Sequence, residues 1–354
     1  MAMNINNSYN QRLSAAITWL RFPLIVLIIM LHCYSVIRFD SPKLLYFKAI
    51  YPFSLWLGET GVPGFFFISG YLFYLSKKSY GLKLKSRIHT LLIPYFLWNT
   101  MIVVAYIIAY AAGYPQIINF KSITEYNLID YIRLYWDRGA FDNGNFVPAL
   151  CPFWYIRNLL IMSILSPLLY YVIRYGREIF LLIATIWWLT TYHNAIIPQT
   201  IIFFSLGAYF PIFNINPLEW IYKHKIWFLS LFTLFAITDI VMHTTYTTPI
   251  SLQTHRLALI LNIPVLLLLA DFCVRKGYSI KILPNAAFTV FAVHYPIVAF
   301  LRKLCIAKFA MASDIIHIVL YFISIIIATL LSLLIYILLE KYFPKLKNIL
   351  SGNR

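Results

Sequence analysis

The fold class this chain predicts is all-α, a polytopic membrane helix bundle, and three observations predict it. Of its 354 residues, 61% are hydrophobic and only 12% charged, whereas soluble domains hold roughly 45–50% and about 25%. Mean hydropathy is +0.76. The apolar segments run to about 20 residues, the length that crosses a bilayer as a helix, and lack the period-two alternation of an outer-membrane barrel. No soluble domain fits between them, so residues 1–354 form one integral-membrane domain with its bundle over about 12–340.

Hydropathy places about ten spans, at residues 13–38, 48–76, 90–112, 153–173, 178–193, 197–213, 226–243, 255–274, 284–307 and 314–340. The first is longer than a signal-peptide core and is kept as a span. The second carries Gly58, Gly61, Pro63, Gly64 and Gly70, which loosen a helix and let backbones approach closely. Spans five, six and nine are short or hold Pro and Gly, and are expected to be broken or tilted. With the N-terminus inside, the inner segments hold 17 Lys and Arg and the outer ones ten, which puts both termini in the cytoplasm. The long connection 113–152 then faces outward. Its charged and aromatic stretch "YIRLYWDRGAFDNGN" suits a lid or an acceptor surface.

The net charge of +17 is scattered among short loops. It builds no basic patch interleaved with aromatics, which excludes a nucleic-acid partner and leaves orientation and contact with the lipid bilayer. Cys33, Cys151, Cys273 and Cys305 have no CxxC spacing, so neither a metal site nor a disulfide framework is expected. Walker A, GxGxxG, HExxH and GxSxG motifs are missing from the sequence, against ATP-driven pumps and the usual hydrolases.

The chemistry is carried by ionisable residues inside apolar runs, where each is costly. Arg21 and His32 lie eleven residues apart in "RFPLIVLIIMLH", three turns plus about 20°, hence on one helix face and roughly 16 Å apart along the axis. Glu59 is a rare carboxylate near the outer face. Lys83, Lys85 and Arg87 precede the third span and suit phosphates as point charges and a guanidinium fork. Arg157, beside Trp154 and Tyr155, suits stacking on a sugar, and His294 lies in mid-helix in "AVHYP".

"RFPLIVLIIMLHCY", "GVPGFFFISGYLF", "KSRIHTLLIPYFLWN", "FWYIRNLLIMSILSPLLYY", "FFSLGAYFP" and "VFAVHYPIV" stand in the order seen in the acyltransferase-3 family. The chain resembles the stand-alone members of these bacterial inner-membrane sugar O-acyltransferases over about residues 12–340. The resemblance implies about ten helices, acetyl-CoA as acyl donor with no metal, and a glycan or glycolipid acceptor at the cell surface. It implies Arg21 and His32 as catalytic residues, with His32 as general base or acyl carrier. Many members carry an aspartate where this chain has Pro63, so the acidic partner is expected elsewhere, with Glu59 the nearest candidate. Lys83, Lys85 and Arg87 are then the cofactor-binding residues, although their spacing departs from the family's Arg-x-x-Arg. Trp154, Tyr155, Arg157 and His294 are assigned to the acceptor. The expected activity is O-acetyl transfer at the bacterial inner membrane. The alternative is a transporter or flippase of a polar lipid-linked sugar, which intramembrane Arg, His and Glu on broken helices also suit.

Overall fold

The computed structural model describes residues 2–34, 44–114, 117–118, 121–138, 146–192, 195–242, 249–278 and 281–353. Arg38, Lys43, Asp142 and Arg354, which entered the charge and loop readings, lie outside these. The described residues are helical apart from connections and a two-residue antiparallel hairpin, β1 (Ile117–Ile118) with β2 (Lys121–Ser122). Helix α1 (Ala2–Cys33) is the axis of the bundle. Around it pack α2 (Leu44–Gly58), α3 (Gly61–Leu75), α12 (Pro249–Arg275), α13 (Ile282–Phe309) and α14 (Asp314–Tyr342).

Among the described residues, six helices are long and apolar enough to cross a membrane, or up to eight if each of two bent pairs is one span. The protein is a multi-pass helix bundle, and the expected count of ten is not confirmed. The second expected span is two 15-residue helices, α2 and α3, broken at Glu59 and Thr60. Pro63 causes the break, because its ring cannot coexist with a helical carbonyl four residues earlier, at Glu59. Asn262 holds the broken ends by donating to the Trp56 carbonyl (3.2 Å) and the Thr60 hydroxyl (2.7 Å).

The fourth and fifth expected spans divide at a different point. Helix α7 (Trp154–Ile164) turns by 71° into α8 (Ser166–Thr190), which continues through the expected boundary with a kink at Arg177. The connection before α7 is less exposed than expected, since Val147, Pro148, Ala149 and Leu150 are buried. Helix α9 (Ile196–Ile212) bends by 95° into α10 (Pro217–Lys223). A Cβ on Gly70 would collide with the Phe204 carbonyl, and one on Gly207 with that of Phe67. The two glycines therefore let α3 and α9 touch backbone to backbone.

Helix α4 (Tyr80–Arg87) passes through a π turn, Ile88–Leu92, into α5 (Ile93–Ala111). Pro94 again explains the irregularity, since it denies the Thr90 carbonyl its helical partner. The C-terminal helix α15 (Pro344–Ser351) ends at a left-handed Gly352 packed on Thr90, and Trp98 donates to the Leu350 carbonyl (3.0 Å). This returns the chain's end to the turn that carries Arg87.

Candidate active site

Arg21 of α1 opens into a cavity of about 420 Å³ bounded by α1, α3, the π turn, α7 and the start of α13. Arg87, the last residue of α4 before the π turn, lines the same cavity. Tyr155 stands between the two, its hydroxyl 3.1 Å from Ser69 Oγ, and interacts electrostatically with both guanidiniums. Neither arginine has a carboxylate partner among the described residues. Two half-buried cations without counter-ions define a site for an anion, because a charge withdrawn from water needs compensation.

Of the expected cofactor residues, only Arg87 lines this cavity. Lys83 lies beside it, its ammonium 4.9 Å from the Phe73 ring that Arg87 also covers at 5.6 Å. Lys85 is exposed on α4 and outside the cavity wall. A larger, mostly apolar hollow of about 990 Å³ near Trp19 and Tyr278 shares Pro284 and Asn285 with the first.

His32 lies beyond the far wall. Phe291, part of that wall, packs 5.9 Å from Tyr155 on one side and 5.9 Å from His294 on the other. His294 in turn stacks on His32 at 5.5 Å, and the Tyr295 ring meets His32 edge-on at 5.1 Å. The two histidines, 262 residues apart in sequence, thus form one pair behind Phe291, outside the cavity lining. Tyr295 is also reached by Arg138 from the long connection, next to Cys151. Trp154 packs on Phe66 (6.1 Å) outside the cavity wall, while Tyr155 forms part of it.

Two expected roles need correction. Arg157 does not present its guanidinium to a sugar. It donates to the backbone carbonyls of Trp136 (2.6 Å) and Phe146 (2.9 Å) and to Asn158 Oδ1, and covers the Trp136 ring at 4.6 Å. It fastens the long connection to the bundle, since five fixed donors suit a ring of carbonyls. Glu59 does not turn to His32. Its carboxylate accepts from His255 Nε2 (3.0 Å), whose Nδ1 is 2.8 Å from Asp239, so a histidine bridges two acids.

His255 was the residue that sequence reasoning passed over. Its signal was an unexplained polar pair, His255 and Arg256, in a span facing the intramembrane acids Glu59 and Asp239. Asp271 is fully buried and held by Arg12 (2.6 Å), Arg275 (3.0 Å) and Tyr222 (2.6 Å). Among the described residues, no group of three His, Cys, Asp or Glu is arranged to hold a metal ion.

These features describe a multi-pass helical membrane protein with a cavity lined by two arginines, one wall residue of which, Phe291, packs on a stacked histidine pair. The chain matches the family model described as an acyltransferase domain over residues 14–337, nearly its whole length, and belongs to the acyltransferase-3 family. It is accordingly a membrane acyltransferase. No curated protein and no solved structure matches the chain.

Proposed function

We propose that this acyltransferase is an inner-membrane O-acetyltransferase, with both termini cytoplasmic. It moves an acetyl group from acetyl-CoA to a hydroxyl of a cell-surface polysaccharide or lipid-linked sugar. The reading rests on one observation: Arg21 and Arg87, without carboxylate partners, share a cavity whose end wall touches the His32–His294 pair. Arginine forks suit the phosphates of CoA. The cavity wall is built from segments around 80–90 and 284–285, which the charge bias assigns to the cytoplasmic side. The thioester arm then runs past Tyr155 and Phe291 towards His32, and the acceptor comes from the opposite side.

A sugar hydroxyl is a poor nucleophile, and removal of its proton by a positioned base contributes about 10²–10⁴-fold. His32 serves the transfer as general base or as acyl carrier. Purified protein, acetyl-CoA labelled in the acetyl group and a glycolipid and polysaccharide extract of the host test the reading. Wild type should move label into the extract, and His32→Ala should not, although it still binds CoA. An extract that stays unlabelled with folded wild type would refute the proposal.

A further inference from the structure

The two stacked histidines behind Phe291 are not equivalent. His294 is fully buried, and its Nδ1 lies 2.7 Å from the Phe291 carbonyl oxygen. A carbonyl only accepts, so Nδ1 carries the proton, and in the neutral ring Nε2 is left with its lone pair. That Nε2 is buried and has no hydrogen-bond partner among the described residues. Leaving a buried acceptor unmatched is unfavourable, and native proteins do it rarely. The bundle here holds the ring in one tautomer by Nδ1, and among the described residues it offers Nε2 no partner. The ring also stacks on His32 at 5.5 Å, with 29° between the planes.

We infer that His294, through Nε2, is the group that takes the proton of the acceptor hydroxyl in the transfer, which rests on the function proposed above and leaves His32 as the acyl carrier or, in direct transfer, as the ring stacked on the base. The acceptor O–H proton passes to Nε2 as its oxygen forms the bond to the acetyl carbon. The C–S bond of the thioester breaks, and the departing thiolate takes the proton back from the imidazolium. If His32 first carries the acetyl group, the bond broken in this step is C–N instead of C–S, and the proton returns to the His32 ring. In either route the Phe291 carbonyl helps, because its hydrogen bond to Nδ1–H strengthens as the ring becomes positive.

The informative variant is His294→Asn, whose amide N–H can still donate to Phe291 O but which has nothing in place of Nε2. With labelled acetyl-CoA and the host extract, it should bind CoA within about twofold of wild type while transfer falls by about 10²–10⁴-fold. Transfer within about threefold of wild type would overturn the inference and leave the proposed function standing, whereas no transfer by wild type would remove both. Should the variant lose CoA binding, the wild-type protein decides the matter. With ¹⁵N-labelled histidine in lipid nanodiscs, the resonance lost in His294→Gln should be that of an Nδ1–H tautomer. An Nε2–H tautomer there would overturn the assignment.

Discussion

Two arginines on one helix show how the same side chain serves stability in one place and a ligand in another. Arg12, near the start of α1, meets Asp271 through two hydrogen bonds, and Arg275 and Tyr222 complete the acid's shell. Arg21 lies further along α1 and faces a cavity that holds a second cation, Arg87, and no acid among the described residues. The first arrangement is electrically closed. The second is open, and an anion from outside the chain closes it. The histidines divide in the same way: His255 has a carboxylate on each ring nitrogen, whereas His294 has a carbonyl on one and no partner among the described residues on the other.

The sharpest way to break this comparison is at its reactive end. His32→Ala is expected to lower acetyl transfer by about 10²–10⁴-fold with CoA affinity kept, read from initial rates with labelled donor. Arg21→Gln and Arg87→Gln each remove a charge-assisted hydrogen bond worth about 1.5–3 kcal/mol. Each should weaken CoA binding by about 10- to 100-fold in titration calorimetry, and Lys85→Gln by less than about twofold. On the closed side, Asp271→Asn strips Arg12 and Arg275 of their charged partner. It should cost about 1–3 kcal/mol, with the partial exposure of both arginines holding the figure down. A lower melting temperature with unchanged CoA affinity is the outcome that separates it from Arg21→Gln. Gly207→Ala should destabilise by about 1–3 kcal/mol through overpacking against the Phe67 carbonyl, measured by the same melting experiment.

Much of the bundle was legible because membrane burial writes itself into composition and segment length. The shared face of Arg21 and His32 followed from helical period alone, and the break near Glu59 from Pro63 and its glycines. What period cannot give is the neighbour on another helix. Arg87 joins Arg21 from the end of another helix, α4, and His294 joins His32 across most of the chain. Glu59 pairs with His255, 196 residues away, and no local pattern announces it. Arg157 misled for another reason: its partners are backbone carbonyls, which every residue carries and no sequence displays. The span count is the least legible feature, because a hydropathy window counts apolar length and does not register a bend of 71° such as that between α7 and α8.

The central claim is that the open cations of α1 and the π turn await an anionic acyl donor. The measurement that tests it most directly is the affinity of purified protein for CoA, compared among wild type, Arg21→Gln, Arg87→Gln and Arg12→Gln. The account predicts that the first two variants lose about 10- to 100-fold in affinity, while Arg12→Gln melts earlier and binds CoA as wild type does. Equal CoA affinity in all four proteins, or no binding by wild type, would contradict it.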